Sequence, residues 1–236
     1  MTSVRTIGHG RAGGSLVVAL AESGWDVRTP LGRGDDPAEA AQDVDLLVIA
    51  TPDAAVAEVA AAVRPNEGAV VAHLSGALGL APLVGHARRA VIHPLVALPD
   101  PERGAARLRG AWFGVSTDGD GLALDVVSAL DGAPIAVAED GWVRYHAAAV
   151  IAANHLVALL GQVERVAGSV GVPLQAYLDL AQGSLDDVAE LGPAAALTGP
   201  VRRGDHATVA RHHAALPPEE RPAYEALAAE AARLCP

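Results

Sequence analysis

The stretch Val4-Arg-Thr-Ile-Gly-His-Gly-Arg-Ala-Gly-Gly14 decides the fold. A short apolar strand runs into a turn carrying glycines at 8, 10 and 13, and the turn opens directly into the Ala- and Leu-rich segment Ala12–Ser23. Each glycine has its own physical task. Gly8 permits a sharp turn, Gly10 lets backbone N–H groups approach a pyrophosphate, and Gly13 lets the helix lie close on the strand. The N-terminus of that helix adds free N–H groups and partial positive charge, a seat for phosphate. Such a loop is weak evidence alone; between a strand and an amphipathic helix it reads as a dinucleotide-binding turn. Gly8, Gly10, Arg11, Ala12 and Gly13 are its candidate cofactor-binding residues.

Working outward, short apolar runs alternate with helical stretches over residues 1–138. Strands are expected at Val4–Ile7, Trp25–Arg28, Asp45–Ala50, Ala69–His73, Ala90–Ile92, Trp112–Ser116 and Pro134–Val137. Helices are expected at Ala12–Ser23, Ala54–Val63 and Leu122–Leu130. Uninterrupted runs such as Leu46-Leu47-Val48-Ile49 suit strands buried on both faces. The pattern predicts an α/β domain, a doubly wound and mostly parallel sheet of Rossmann type. From 139 to 236 no strand is legible, which predicts a smaller all-helical domain for substrate binding and dimerisation. Its expected helices are Trp142–Gly168, a segment from Pro173 to Gly192 with Gly183 as a candidate break, one capped by Asp205, and Pro218–Leu234. In the last, Tyr224, Leu227, Ala228, Ala231 and Leu234 form one apolar stripe.

Near the end of the second strand, an NAD-binding chain of this type usually carries an acid for the ribose 2′-hydroxyl. This chain has Arg28 there and Arg33 close behind, and guanidinium groups pair with a 2′-phosphate. The expectation is NADP, with NAD as the alternative and solvated loop arginines as the plainer explanation. Three further strand ends carry small polar or imidazole groups: Thr51-Pro52-Asp53, His73-Leu74-Ser75-Gly76 and His93-Pro94-Leu95. Thr51, Pro52 and Ser75 are candidate cofactor contacts, although loop capping explains each equally well in isolation.

These motifs resemble those of Rossmann-like proteins with a DUF2520 domain. In the second half, Tyr145-His146-Ala-Ala-Ala149 with Asn154, and Ala196-Leu-Thr-Gly-Pro-Val-Arg-Arg-Gly-Asp205, resemble that domain's most distinctive stretches. The resemblance places the chain beside the 6-phosphogluconate dehydrogenase, β-hydroxyacid dehydrogenase, pyrroline-5-carboxylate reductase and F420-dependent NADP oxidoreductase families. It implies a first domain that binds a dinucleotide, a helical second domain that closes the site, and often a dimer. It implies no particular substrate. One departure matters. β-Hydroxyacid dehydrogenases place a lysine four residues before an asparagine on the first helix of the second domain. Counting back from Asn154 gives Val150, and all 17 basic residues are arginine.

A P-loop lysine, a Schiff-base lysine and a lysine general acid are therefore excluded. For proton transfer, His146 is the leading candidate, with His93 behind it, because imidazole titrates near neutrality. On an unbroken α-helix residues 146, 150 and 154 stack, so Asn154 is expected to share a side with His146 and position the substrate. A structural role at the domain junction is the competing reading for both. Thr198 and Arg203 are candidate substrate-binding residues, Arg203 as a carboxylate clamp. His206, His212 and His213 suit a solvated face better than a metal site.

The chain has 236 residues and a formal net charge of −11, and a phosphate backbone needs a basic face, so no nucleic-acid partner is expected. One cysteine, Cys235, excludes an internal disulfide. The apolar run Ala147–Gly161 reads as too short to span a bilayer, no signal peptide is legible, and a cytoplasmic homodimer is expected. The functional expectation is an NADP-dependent oxidoreductase acting on a small carbonyl, imine or 2-hydroxy acid at the interdomain cleft. The alternatives are a dinucleotide-binding sensor without turnover and a helical interaction protein that binds no cofactor.

Overall fold

The computed structural model describes residues 1–118 and 121–235. All seven expected strands are present: β1 (Ser3–Ile7), β2 (Asp26–Val27), β3 (Leu46–Ile49), β4 (Val70–His73), β5 (Arg89–Pro94), β6 (Trp112–Thr117) and β7 (Ala133–Ala136). They form one sheet in the order β2-β1-β3-β4-β5-β6-β7. Every neighbouring pair is parallel except β5 and β6, which run antiparallel with His93 opposite Gly114. From β1 the chain passes to β2 on one side and then crosses to β3 on the other. The carboxyl ends of β1 and β3 therefore flank the topological switch point, where doubly wound sheets bind ligands.

Both faces of the sheet are covered. On one, Leu16 and Leu20 of α1 (Arg11–Glu22), Leu108 of α3 (Pro101–Leu108), and Val126 and Val127 of α4 (Leu122–Ala129) pack on Val4, Val48, Ile92 and Phe113. On the other, Val56 and Ala60 of α2 (Asp53–Ala62) meet Ile7, Leu47, Ile49 and Val71. Removing each such aliphatic side chain from water contributes about 1.5–3 kcal/mol. Every residue of β3 and β4 is buried, which is why their sequences show no polar alternation.

Helix α3 was not legible in the hydrophobic pattern. Its sequence PERGAARL buries only Gly104, Ala105 and Leu108. Its start does carry a signal: Asp100 accepts a hydrogen bond from Arg103 N–H, and Pro101 takes the first helical position.

The chain divides into two compact units, 1–153 and 154–236, so the boundary lies inside the long helix rather than ahead of it. Trp142 and Tyr145 of α5 (Trp142–Val150) pack on Gly114 of β6, which ties this helix to the sheet unit. Beyond it a π-helical turn, Ile151–His155, interrupts the α-helical ladder before α6 (Leu156–Gly168). The sequence shows no break there.

The helical unit continues with α7 (Leu174–Leu191), α8 (Pro193–Ala196), α9 (Gly199–Arg202), α10 (His206–Ala215) and α11 (Arg221–Ala232). Gly183 does not break α7. An interior glycine costs about 1 kcal/mol against alanine, while Gln175–Asp179 and Gln182–Asp186 side-chain hydrogen bonds brace the helix on either side. Asp205 caps α10 as expected, accepting from Thr208 N–H at 3.0 Å. Among its described residues only Ala167 and Glu220 are buried. Glu220 accepts two hydrogen bonds from Arg165, at 2.5 and 3.1 Å, and the guanidinium holds its carboxyl below the usual range.

Length does not exclude a membrane crossing by the helix spanning Glu139–Gly168, contrary to expectation: its 30 residues are long and apolar enough on length and composition alone. Its N-terminal part is nevertheless committed to the sheet, since Trp142 is 1 % exposed.

Candidate functional site

The three glycines of the first turn have different surroundings. Gly8 has φ +96°, and a Cβ there would lie 2.6 Å from the Ala50 carbonyl oxygen. A Cβ on Gly13 would lie 2.1 Å from the Gly8 oxygen. Gly10 differs: nothing lies within 4 Å of where its Cβ would be. This open position is the N-cap of α1, which has no side-chain cap and no acid in its first turn. The helix therefore points unsatisfied N–H groups outward. Arg11 is exposed beside it, and Ala12 packs inward on the core.

At the end of β3, the hydroxyl oxygen of Thr51 is buried and has no hydrogen-bond partner among the described residues, as is also true of Thr6 Oγ1 and His86 Nδ1. Pro52 caps α2 and Asp53 opens it. The chain leaving β2 runs beside the glycine turn, with Gly8 N–H donating to the Leu31 carbonyl at 2.8 Å. Arg28 pairs with Asp26 at 3.1 Å. Arg33 is exposed and has no ion pair among the described residues. The open N-terminus of α1 and the buried Thr51 hydroxyl at the switch point fit a nicotinamide dinucleotide, and Arg33 stands exposed on the chain that follows β2.

A second cluster forms at the ends of β4 and β5 and the start of α5. His73 is fully buried, with Nε2 donating to the Gly79 carbonyl at 2.9 Å and Nδ1 accepting from Ser75 N–H at 3.2 Å. Burial pushes its pKa down. This imidazole is spoken for: it shapes the turn after β4. Ser75 is buried too, and its hydroxyl accepts from Ala77 N–H within the same turn.

His93 and His146 meet across Gly76. Their ring centroids are 6.1 Å apart at 86°, and a Cβ on Gly76 would lie 2.6 Å from His93 Nε2 and 2.8 Å from His146 Cδ2. His93 Nδ1 lies 2.9 Å from the Tyr145 phenol oxygen. Burial, then the neighbouring His146 charge, lowers the His93 pKa to about 4, leaving it neutral at physiological pH. Burial also pushes the Tyr145 phenol up, partly offset by a hydrogen bond with the Gly114 backbone. Sequence reasoning passed over Tyr145. The available signal was its place beside His146, one helical turn after Trp142.

Asn154, Thr198 and Arg203 belong to the helical unit, and all three are exposed. The expected alignment of His146 with Asn154 assumes an unbroken α-helix, and Asn154 lies in the π-helical turn. In α10, His212 Nδ1 lies 3.0 Å from the Tyr224 hydroxyl and His213 pairs with Glu225, while His206 is exposed.

The fold recurs in solved structures. A Bacteroides fragilis protein assigned as an NADP oxidoreductase matches with TM-score 0.81 at 21% identity, covering 98% of each chain. The Aspergillus terreus reductive aminase, solved with NADPH and ethyl-5-oxohexanoate, gives TM-score 0.68 at 19% identity over 99% of this chain and 94% of its own. The 1-pyrroline-5-carboxylate reductase of Streptococcus pyogenes gives 0.66 at 11% identity over 98% of both. At these identities the likeness shows a shared fold. No curated protein matches by sequence. Residues 112–231, just over half of the chain, match the family described as "Domain of unknown function (DUF2520)", and the chain belongs to that family.

Proposed function

We propose that the protein is an NADP-dependent oxidoreductase that moves hydride to or from a small carbonyl, imine or 2-hydroxy acid. The observation that carries the reading is the open, uncapped N-terminus of α1 at Gly10, set at the switch point of the sheet. The glycine turn and the N-terminus of α1 hold the pyrophosphate, Thr51 and Pro52 line its path, and Ser75 contributes through its backbone. Arg33, with Arg28, reads the 2′-phosphate. When bound, the nicotinamide supplies the hydride chemistry. The chain's own residues handle the proton. His146 delivers or accepts it at the substrate oxygen or nitrogen, and neutral His93 holds that atom by a hydrogen bond. The NADP choice agrees with the Bacteroides protein's assignment and the NADPH in the Aspergillus enzyme.

The helical unit points to a homodimer. Only Ala167 and Glu220 among its described residues are buried. Leu180, Leu185, Val188 and Leu191 of α7 stand 40–66 % exposed. A hollow of about 790 Å³ opens among Val163, Val166, Tyr177, Val201, Leu216 and Tyr224. A second copy supplies the missing interior.

The absence of lysine favours a second reading, a dinucleotide sensor without turnover. One pair of measurements separates them. Calorimetry with NADPH and NADH tests binding, and a panel of cyclic imines and small 2-keto acids tests turnover. His146→Ala is expected to keep NADPH affinity and lose about 10²–10⁴ in rate. Binding without turnover across the panel supports the sensor; no heat with either cofactor overturns both readings.

A further inference from the structure

The geometry points to Tyr145 as a positioning residue that fixes the proton of His93 on Nε2, on the side of Gly76 and His146. Of the two partners 2.9 Å apart, the phenol is the better acid and the imidazole nitrogen the better base. The hydrogen bond therefore runs from the Tyr145 O–H to His93 Nδ1. A neutral imidazole has one ring proton, and the bond made by one nitrogen decides where it sits. With Nδ1 occupied as acceptor, His93 presents an N–H from Nε2.

The phenol is held there by the fold. Trp142, 1 % exposed, stacks edge-on against Tyr145 with centroids 5.3 Å apart. Its indole N–H donates to the Ser116 hydroxyl at 3.0 Å, and that hydroxyl donates to the Val137 carbonyl at 2.5 Å. A line of oriented groups thus runs from β6 through α5 to His93. Two glycines leave room for it. A Cβ on Gly114 would lie 2.8 Å from the Tyr145 Cζ and hydroxyl oxygen, and Gly76 opens the same space for the two imidazoles. Glycine inside a strand weakens it and marks a close approach; here Gly114 lets a phenol lie against the sheet.

The role assigned to His93 in catalysis rests on the proposed oxidoreductase activity; the tautomer does not. Two-bond ¹H–¹⁵N spectra of the full, imidazole-labelled chain at pH 7.5 are expected to show His93 protonated at Nε2 and bare at Nδ1. Tyr145→Phe keeps the ring and its packing but removes the donor, and is expected to move the Nδ1 resonance. Protonation at Nδ1 in the wild-type spectrum overturns the assignment, as does an Nδ1 signal unmoved in Tyr145→Phe. The wild-type spectrum decides even if the variant folds poorly. In turnover, Tyr145→Phe is expected to lower kcat roughly tenfold at unchanged NADPH affinity, short of the 10²–10⁴ for losing the proton donor itself. An unchanged kcat in an active enzyme overturns the positioning role. Failure of NADPH to bind would instead remove the oxidoreductase reading and leave the tautomer standing.

Discussion

A Cβ on Gly13 would lie 2.1 Å from the carbonyl oxygen of Gly8, whereas one on Gly10 would touch nothing within 4 Å. The same added methyl should therefore have opposite consequences at the two sites. Gly13→Ala forces α1 away from β1, and overpacking of this kind costs about 1–3 kcal/mol or more. Gly10→Ala changes only an N-cap, worth under about 1 kcal/mol, yet under the proposed function it stands in the path of the pyrophosphate. We expect Gly13→Ala to lower Tm by several degrees and Gly10→Ala to leave it nearly unchanged while weakening NADPH at least about tenfold. Equal NADPH affinity in Gly10→Ala, measured by calorimetry, would show that the pyrophosphate does not lie there.

The two arginines after β2 should contribute unequally. Arg28 already faces Asp26, whereas Arg33 has no ion pair among the described residues. A hydrogen bond to a charged group contributes about 1.5–3 kcal/mol. Arg33→Ala is therefore expected to weaken NADPH roughly tenfold or more, Arg28→Ala by less, and neither to change NADH affinity much. Equal losses for both cofactors would remove the 2′-phosphate from Arg33.

His93 should make the protein acid-labile in a defined window. Its pKa falls from 6.5 to about 4 on folding, through burial and the His146 charge. The unfolded chain then binds the proton more tightly, so stability rises with pH between those values. It is fully present above about 6.5 and is lost as pH falls toward 4, by an amount on the order of 3 kcal/mol. His73, also pushed down by burial, acts in the same direction. Thermal melts at pH 7 and 5 read this above most carboxylate titration. His93→Gln should lose less Tm between these values than wild type; parallel curves would argue against a buried neutral His93.

If a second copy completes the helical unit, light scattering at micromolar concentration gives twice the 23.9 kDa chain mass. Leu185→Asp places a charge on the exposed apolar face of α7 and should shift the mass toward monomer. A wild-type monomer would leave that face to another partner, and vesicle binding by wild type would direct attention to the Glu139–Gly168 helix instead.

Much of the sheet unit was legible because burial on both faces removes polar residues from whole strands. Leu46–Ile49 and Val70–His73 announce themselves this way, and the glycine turn adds its own spacing. Helix α3 escaped because it contacts α1 through small atoms, with Gly104 against Ser15, rather than through an apolar stripe. The π-helical turn escaped because nothing in Ile-Ala-Ala-Asn-His differs from an α-helical sequence. His93 and His146 could be named from strand ends and helix position, but their meeting depends on the antiparallel pairing of β5 with β6 and the docking of α5. No local spacing encodes either.

The burial of Trp142 gives the protein an optical reporter. Trp142 is 1 % exposed, Trp112 is 56 % exposed, and Trp25 lies between them. An indole sealed against Tyr145 and bonded to Ser116 emits from an apolar, rigid surrounding, whereas Trp112 emits from water. In a chain carrying Trp25→Phe and Trp112→Phe, emission comes from the place where α5 rests on β6. A red shift on warming or acidification would then time the loosening of α5 from the sheet, independently of unfolding elsewhere. The position that orients the phenol is thus also the position from which its release can be watched.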